Sequence, residues 1–168
     1  PAKPGAARIR EVNDTIRSEF ELSTTEGADP RSSNQTLTDA NSRKPFELSL
    51  AYAEWVPNAN VKVTLGKMRY PWARPGQSLF YDGDINPEGA AFNFVKGGFF
   101  ADVAYLQLTE RGTLANSILA QTQVGYRGDL AGGKYTVAAS YFDYGAVQGY
   151  AVQTPTAAGF FGNTTATS

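Results

Sequence analysis

A chain of 168 residues with a formal net charge of −1 is long enough for one domain with a sizeable core and carries no electrostatic footprint for nucleic acid. It has neither cysteine nor histidine, which removes disulfides, thiolate metal sites and the commonest general base, and argues against hydrolase triads and zinc centres. Its 42% hydrophobic content is scattered singly, with no run near the roughly 18 apolar residues of a membrane helix, and its 17 Gly, 10 Phe and 9 Tyr among many Asn, Ser, Thr and Asp suit strands joined by turns.

In chain order, Arg8 to Val12 is a short strand candidate followed by an Asn13-Asp14 turn. From Thr15 to Ser23, charged Arg17, Glu19 and Glu21 alternate with Ile16, Ser18, Phe20 and Leu22, which puts charge on one face of a strand. A long polar link follows, from about Thr24 to Pro45. Phe46, Leu48, Leu50 and Tyr52 then alternate with Glu47, Ser49, Ala51 and Ala53, and Pro57 to Asn60 reads as a tight turn. Val61, Val63 and Leu65 alternate with Lys62, Thr64 and Gly66 before a second long link, Arg69 to Gly89. Ala91 to Val95 is a short strand candidate ending in a Lys96 to Gly98 turn. Phe99 to Thr109 is apolar on both faces, which leaves its orientation open. After the link Glu110 to Asn116, Ile118 to Arg127 alternates again, Asp129 to Gly133 turns, and Lys134 to Tyr141 alternates until the strand ends near Tyr144. Gly145 onward is a polar link.

Short and long connections therefore alternate strictly. That is the habit of outer-membrane barrels, whose strands of about 9 to 11 residues are joined by short turns at one end and long external loops at the other. The expected fold is all-β: an antiparallel transmembrane β-barrel, with residues 1–168 belonging to one barrel domain and long external loops near 24–45, 69–89 and 145–168. No leader is visible at Pro1 to Ala7. If Asn13-Asp14 is a turn at the short-loop end, a strand must precede Arg8, and the last strand ends in a loop that does not return. The eight strand candidates are accordingly expected to be part of a larger barrel of roughly 16 to 18 strands.

Three motifs occur in order: Ser32-Ser33-Asn34-Gln35-Thr36-Leu37, then Leu65-Gly66-Lys67-Met68-Arg69-Tyr70-Pro71, then Asp82-Gly83-Asp84-Ile85-Asn86-Pro87-Glu88-Gly89. Together they make most of Arg8 to Gly149 resemble the putative-porin family of Gram-negative outer membranes. The resemblance implies a bacterial outer-membrane channel for passive diffusion of small hydrophilic solutes or ions, working through surfaces and not as an enzyme, with no cofactor. Its implied partners are outer-membrane lipids and the solutes themselves, with no nucleic acid; trimers are common among such porins, so a homotrimer is an implied assembly.

In such a barrel Arg17, Glu19, Glu21, Lys62, Gln121, Gln123, Arg127 and Lys134 are expected to line the pore, because Arg or Lys facing lipid near the midplane costs about 2–4 kcal/mol. A solvated face of a soluble sheet would show the same alternation. Tyr52, Trp55, Tyr126 and Tyr135 stand near short turns and are expected in an interfacial aromatic girdle, with core packing as the other reading. By analogy with general porins the link from Arg69 could fold inward as a constriction bearing Lys67, Arg69, Arg74, Asp82, Asp84 and Glu88; an external loop packed on its neighbours accounts for the sequence equally well. Asp82, Asp84 and Asn86 share the alternate spacing of calcium ligands, but Pro87 replaces the expected glycine and Asn93 the bidentate Glu, so a plain Asx-rich turn and no metal is the reading. The competing function is a soluble or surface-attached β-sandwich that binds glycans through Tyr and Trp. Asp82, Asp84 and Glu88 are crowded into one turn-rich loop, which does not suit the roughly 5–9.5 Å carboxylate separation of glycosidases.

Overall fold

A computed structural model of the chain describes residues 6–23, 47–74 and 85–150, with side chains described from residue 13 onward. Among these residues every regular element is a strand: β1 (Ala6–Val12), β2 (Ile16–Ser23), β3 (Glu47–Asn58), β4 (Val61–Lys67), β5 (Glu88–Lys96), β6 (Phe99–Thr109), β7 (Ser117–Leu130) and β8 (Gly133–Gly145). Each pairs antiparallel with the next, giving one sheet in the order β1 to β8. The sheet is open, and β1 and β8 are its edges. The loops expected at 24–45 and beyond Tyr150, the Ser32 to Leu37 motif, and Asp82 and Asp84 lie outside the described residues.

This topology sorts the connections by length. The turns after β1, β3, β5 and β7 are short and share one end of the sheet. At the first of them the Asn13 side chain accepts hydrogen bonds from the Thr15 and Ile16 amides at 3.0 and 2.6 Å, closing an Asx turn. At the last, Ala131 (φ 50°) and Gly132 (φ 81°) both occupy the left-handed region, the geometry of a type I′ hairpin. Alanine is strained there, by roughly 1–2 kcal/mol. Ala131→Asn is therefore expected to move the urea unfolding midpoint of the reconstituted protein upward, by the equivalent of about 0.5 kcal/mol or more.

Three strand readings need correction. Pro57 lies inside β3, not in a turn: the ladder to β4 shifts between Trp55 and Asn58, so the missing proline amide falls at an irregularity, and the turn is only Ala59-Asn60. β7 continues to Leu130, leaving Ala131-Gly132 as its turn. The even series Leu48, Leu50, Tyr52 does not keep one face. Glu21 pairs with Leu50 while Leu22 pairs with Leu48, so Ser49 is an extra residue and Leu48 and Leu50 fall on opposite faces.

The distribution of side chains between the faces is the reverse of that in a soluble sheet. One face buries Glu19, Glu21, Ser23, Glu54, Thr64, Asn93, Asp102, Ser117, Gln121 and Gln123. The other presents Ile16, Phe20, Leu22, Leu48, Trp55, Leu65, Phe92, Val103, Tyr105, Val124, Val137 and Tyr141, each between 41% and 69% exposed. In water such a surface would be an aggregation liability. An apolar cluster on the polar face has a separate origin: Met68 and Trp72 come from the link after β4 and pack on Ala91, Ala104, Leu106 and Leu119.

Candidate functional site: the polar face and the segment that crosses it

The sheet register places all eight expected lining residues on the same face. Arg17 stands opposite Glu54, Glu54 opposite Thr64, Lys62 opposite Asn93 and Asn93 opposite Asp102; Asp102 then meets Gln123, and Ala104 meets Gln121. Arg127 and Lys134 continue the set toward the short-turn end of β7 and β8. Several are tied to one another or to neighbours on that face. Lys62 Nζ lies 3.2 Å from Glu54, Arg127 stacks its guanidinium 4.2 Å above the Phe100 ring, and Lys134 reaches Asp129 at 3.4 Å.

The link after β4 folds onto this face. Its first turn carries Arg69, whose Nη2 donates to Glu19 at 3.0 Å and Glu21 at 3.3 Å, while the Tyr52 hydroxyl donates to Glu19 at 2.9 Å. Farther on, Asn93 Nδ2 donates both to the Pro71 carbonyl and to Asp102, the latter at 2.6 Å. Gln123 then pairs with the backbone of Ala73 in both directions, accepting from its amide at 2.8 Å and donating to its carbonyl at 3.0 Å. A side-chain amide thus completes a segment that has no strand partner. Trp72 contacts Tyr70 and the edge of Phe142, with ring centroids 4.7 and 5.5 Å apart, and Arg74 lies 5.4 Å from the Tyr70 ring centre. The returning end is held by Lys67 Nζ on the Asn86 carbonyl at 3.0 Å and by the Asn86 amide on Ser49, at 2.9 Å to its carbonyl and 3.1 Å to its hydroxyl.

Of the expected constriction set, Arg69 and Arg74 belong to the inward segment. Lys67 and Glu88 do not: they face each other at the ends of β4 and β5, where Lys67 fastens the return. Asn86 turns its amide to Ser49, and among the described residues no group of three or more His, Cys, Asp or Glu could hold a metal. Tyr52 is a further correction. The bulge at Ser49 puts it on the polar face beside Glu19, away from Trp55, Tyr126 and Tyr135, which are exposed on the apolar one. There Tyr135 lies over Gly128, so close that a Cβ at 128 would meet its ring and hydroxyl within 2.7 Å, and it stacks on Tyr126 at 6.4 Å.

Sequence reasoning missed Trp72, Asn93 and Arg111. The first had a signal in Phe99 to Thr109: both faces are apolar because Met68 and Trp72 cover the inner one at Ala104 and Leu106. Arg111 clasps the loop end, donating to the Ala115 carbonyl at 2.7 Å, Ser117 at 2.8 Å and the Ala146 carbonyl at 3.3 Å, beneath the Tyr150 ring. Gln121 is 1% exposed, and neither atom of its amide has a hydrogen-bond partner among the described residues. An unpaired buried amide costs about 1–3 kcal/mol. Gln121→Leu is expected to raise the urea midpoint by the equivalent of about 1 kcal/mol, and an unchanged or lower midpoint would show that the amide is satisfied.

A family model described as "putative porin" matches residues 7–167, nearly the whole chain. No curated protein matches it.

Proposed function

Because the chain belongs to the putative-porin family, we propose that it forms part of the wall of a water-filled outer-membrane channel through which small hydrophilic solutes and ions diffuse passively, with no catalytic step. The reversed burial carries this reading: carboxylates, amides and cations share the face that the inward segment covers, and a broad apolar face is left uncovered. A tilted strand in a bilayer needs that division, since lipid offers no partner for charge and a lumen must replace part of a solute's hydration. A glycan-binding sandwich would instead pack its apolar face against a second sheet.

The strand count and the two edges left unpaired among the described residues support a larger barrel that contains these eight strands as one domain, with the short turns at the periplasmic end and the long links outside. Residues 68–74 form the constriction, and Arg69 opposes Glu19 and Glu21 at its rim. Trp55, Tyr126 and Tyr135 form the girdle at the short-turn interface. Reconstitution of the full-length protein into planar bilayers is expected to give discrete conductance steps. Their absence from protein that has inserted overturns the channel reading.

A further inference from the structure

The apolar face is not uniformly filled. Near its short-turn end two cross-strand rows run side by side: Phe99, Tyr126 and Val137 in one, Ala101, Val124 and Ala139 in the next. The floor between them is Gly125 and Ala138. Gly125 is obligatory because the Phe100 ring sits on its inner side, where a Cβ would come within 2.3 Å. On the outer side the small Ala139, over the bare backbone of Gly125 and Ala138, leaves an open, almost wholly apolar groove of about 360 Å³, lined by Phe99, Val124, Tyr126 and Val137. That size is at the low end of small-molecule sites, about 300–1,000 Å³. With no polar group to orient a solute, it suits a flexible hydrocarbon.

A cation stands beside it. Lys96 is the direct cross-strand partner of Phe99, so it extends the first row by one strand toward the rim. It is exposed, and among the described residues it has no ion-pair partner. A lysine at the end of an apolar row can lay its stem on carbon and hold its ammonium at headgroup level; its row continues through Phe99 to Tyr126, which stacks on Tyr135.

We propose that this groove is a phospholipid site, with one acyl chain between the two rows and the phosphate of an anionic headgroup against Lys96. The inference rests on the barrel reading above. It commits to a lipid in place of a second copy of the chain because the concavity is almost wholly apolar and the cation that extends its first row among the described residues lies at the short-turn end, where a phosphate would sit.

The test uses full-length protein reconstituted in vesicles of phosphatidylethanolamine with a minority of phosphatidylglycerol, re-extracted in mild detergent and weighed by native mass spectrometry. Wild type is expected to carry phosphatidylglycerol. Ala139→Phe, which plugs the groove from outside, loses lipid of both headgroups. Lys96→Gln lowers the preference for phosphatidylglycerol over phosphatidylethanolamine about fivefold, the effect of one lysine at an anionic surface. Both variants keep wild-type conductance, because neither residue faces the lumen. Wild type that conducts yet emerges free of lipid overturns this inference alone, as does Ala139→Phe that retains its lipid. A lipid-free oligomer cross-linked through Tyr126→Cys overturns it in favour of a protein contact, and protein that stays soluble without detergent overturns it together with the channel.

Discussion

Arginine in place of Val103 is expected to destabilise the reconstituted protein by about 2–4 kcal/mol, the cost of that side chain facing lipid near the bilayer midplane. Val103 is the fifth residue of the 11-residue strand β6, half exposed, with Phe92 and Thr122 as its cross-strand neighbours. A soluble sheet predicts the opposite: a surface substitution at a half-exposed position changes stability by no more than about 0.5 kcal/mol. Thr136→Arg is the control, because Thr136 is exposed on the face that carries Arg127 and Lys134 and is expected to accept the charge at little cost. Urea unfolding in lipid vesicles reads both. Equal midpoints for the two variants would remove the membrane assignment of the apolar face.

The second large effect belongs to Trp72. Truncating a buried tryptophan to alanine costs about 3–5 kcal/mol, and here the loss falls on the docking of residues 68–74, since the strands keep their own ladders. Trp72→Ala is therefore expected to release the segment, to raise single-channel conductance, and to expose the chain around Arg69 and Arg74 to trypsin while the heat-modifiable gel mobility of the folded protein persists. Gln123→Leu is expected to act the same way more weakly, because it strands the amide and carbonyl of Ala73 at about 1–3 kcal/mol. A Trp72→Ala protein with wild-type conductance would show that the segment does not narrow the pore.

Much of the architecture was legible because each strand of a single sheet has only two faces, one polar and covered, the other apolar and exposed. Arg17, Glu19, Glu21, Lys62, Gln121, Gln123, Arg127 and Lys134 each sit two residues from another polar or small position, and period-two counting alone puts them on one side. The same counting failed at Tyr52, because a single bulged residue, Ser49, reverses every assignment on one side of it, and nothing in Glu47-Leu48-Ser49-Leu50 marks which residue is extra. The direction of the link after β4 was open because its determinants are distant in sequence. Trp72 waits on Leu106, Leu119 and Phe142, and Ala73 on Gln123, 50 residues away. The apolar inner face of β6 recorded the contact but not the partner.

The segment that crosses the polar face also has a mechanical meaning. It is bonded at Arg69 to β2 and at Ala73 to β7, strands five spacings apart, or about 24 Å in a flat sheet. The four residue steps between them reach at most about 14 Å, so the side chains of Arg69, Glu19 and Gln123 make up the remainder, and while these contacts hold they limit how far β2 and β7 can separate. The link is thus a tie between strands that do not touch each other. It bounds the separation of β2 and β7, so a variant that cuts it is expected to let these strands move apart as well as uncover the polar face.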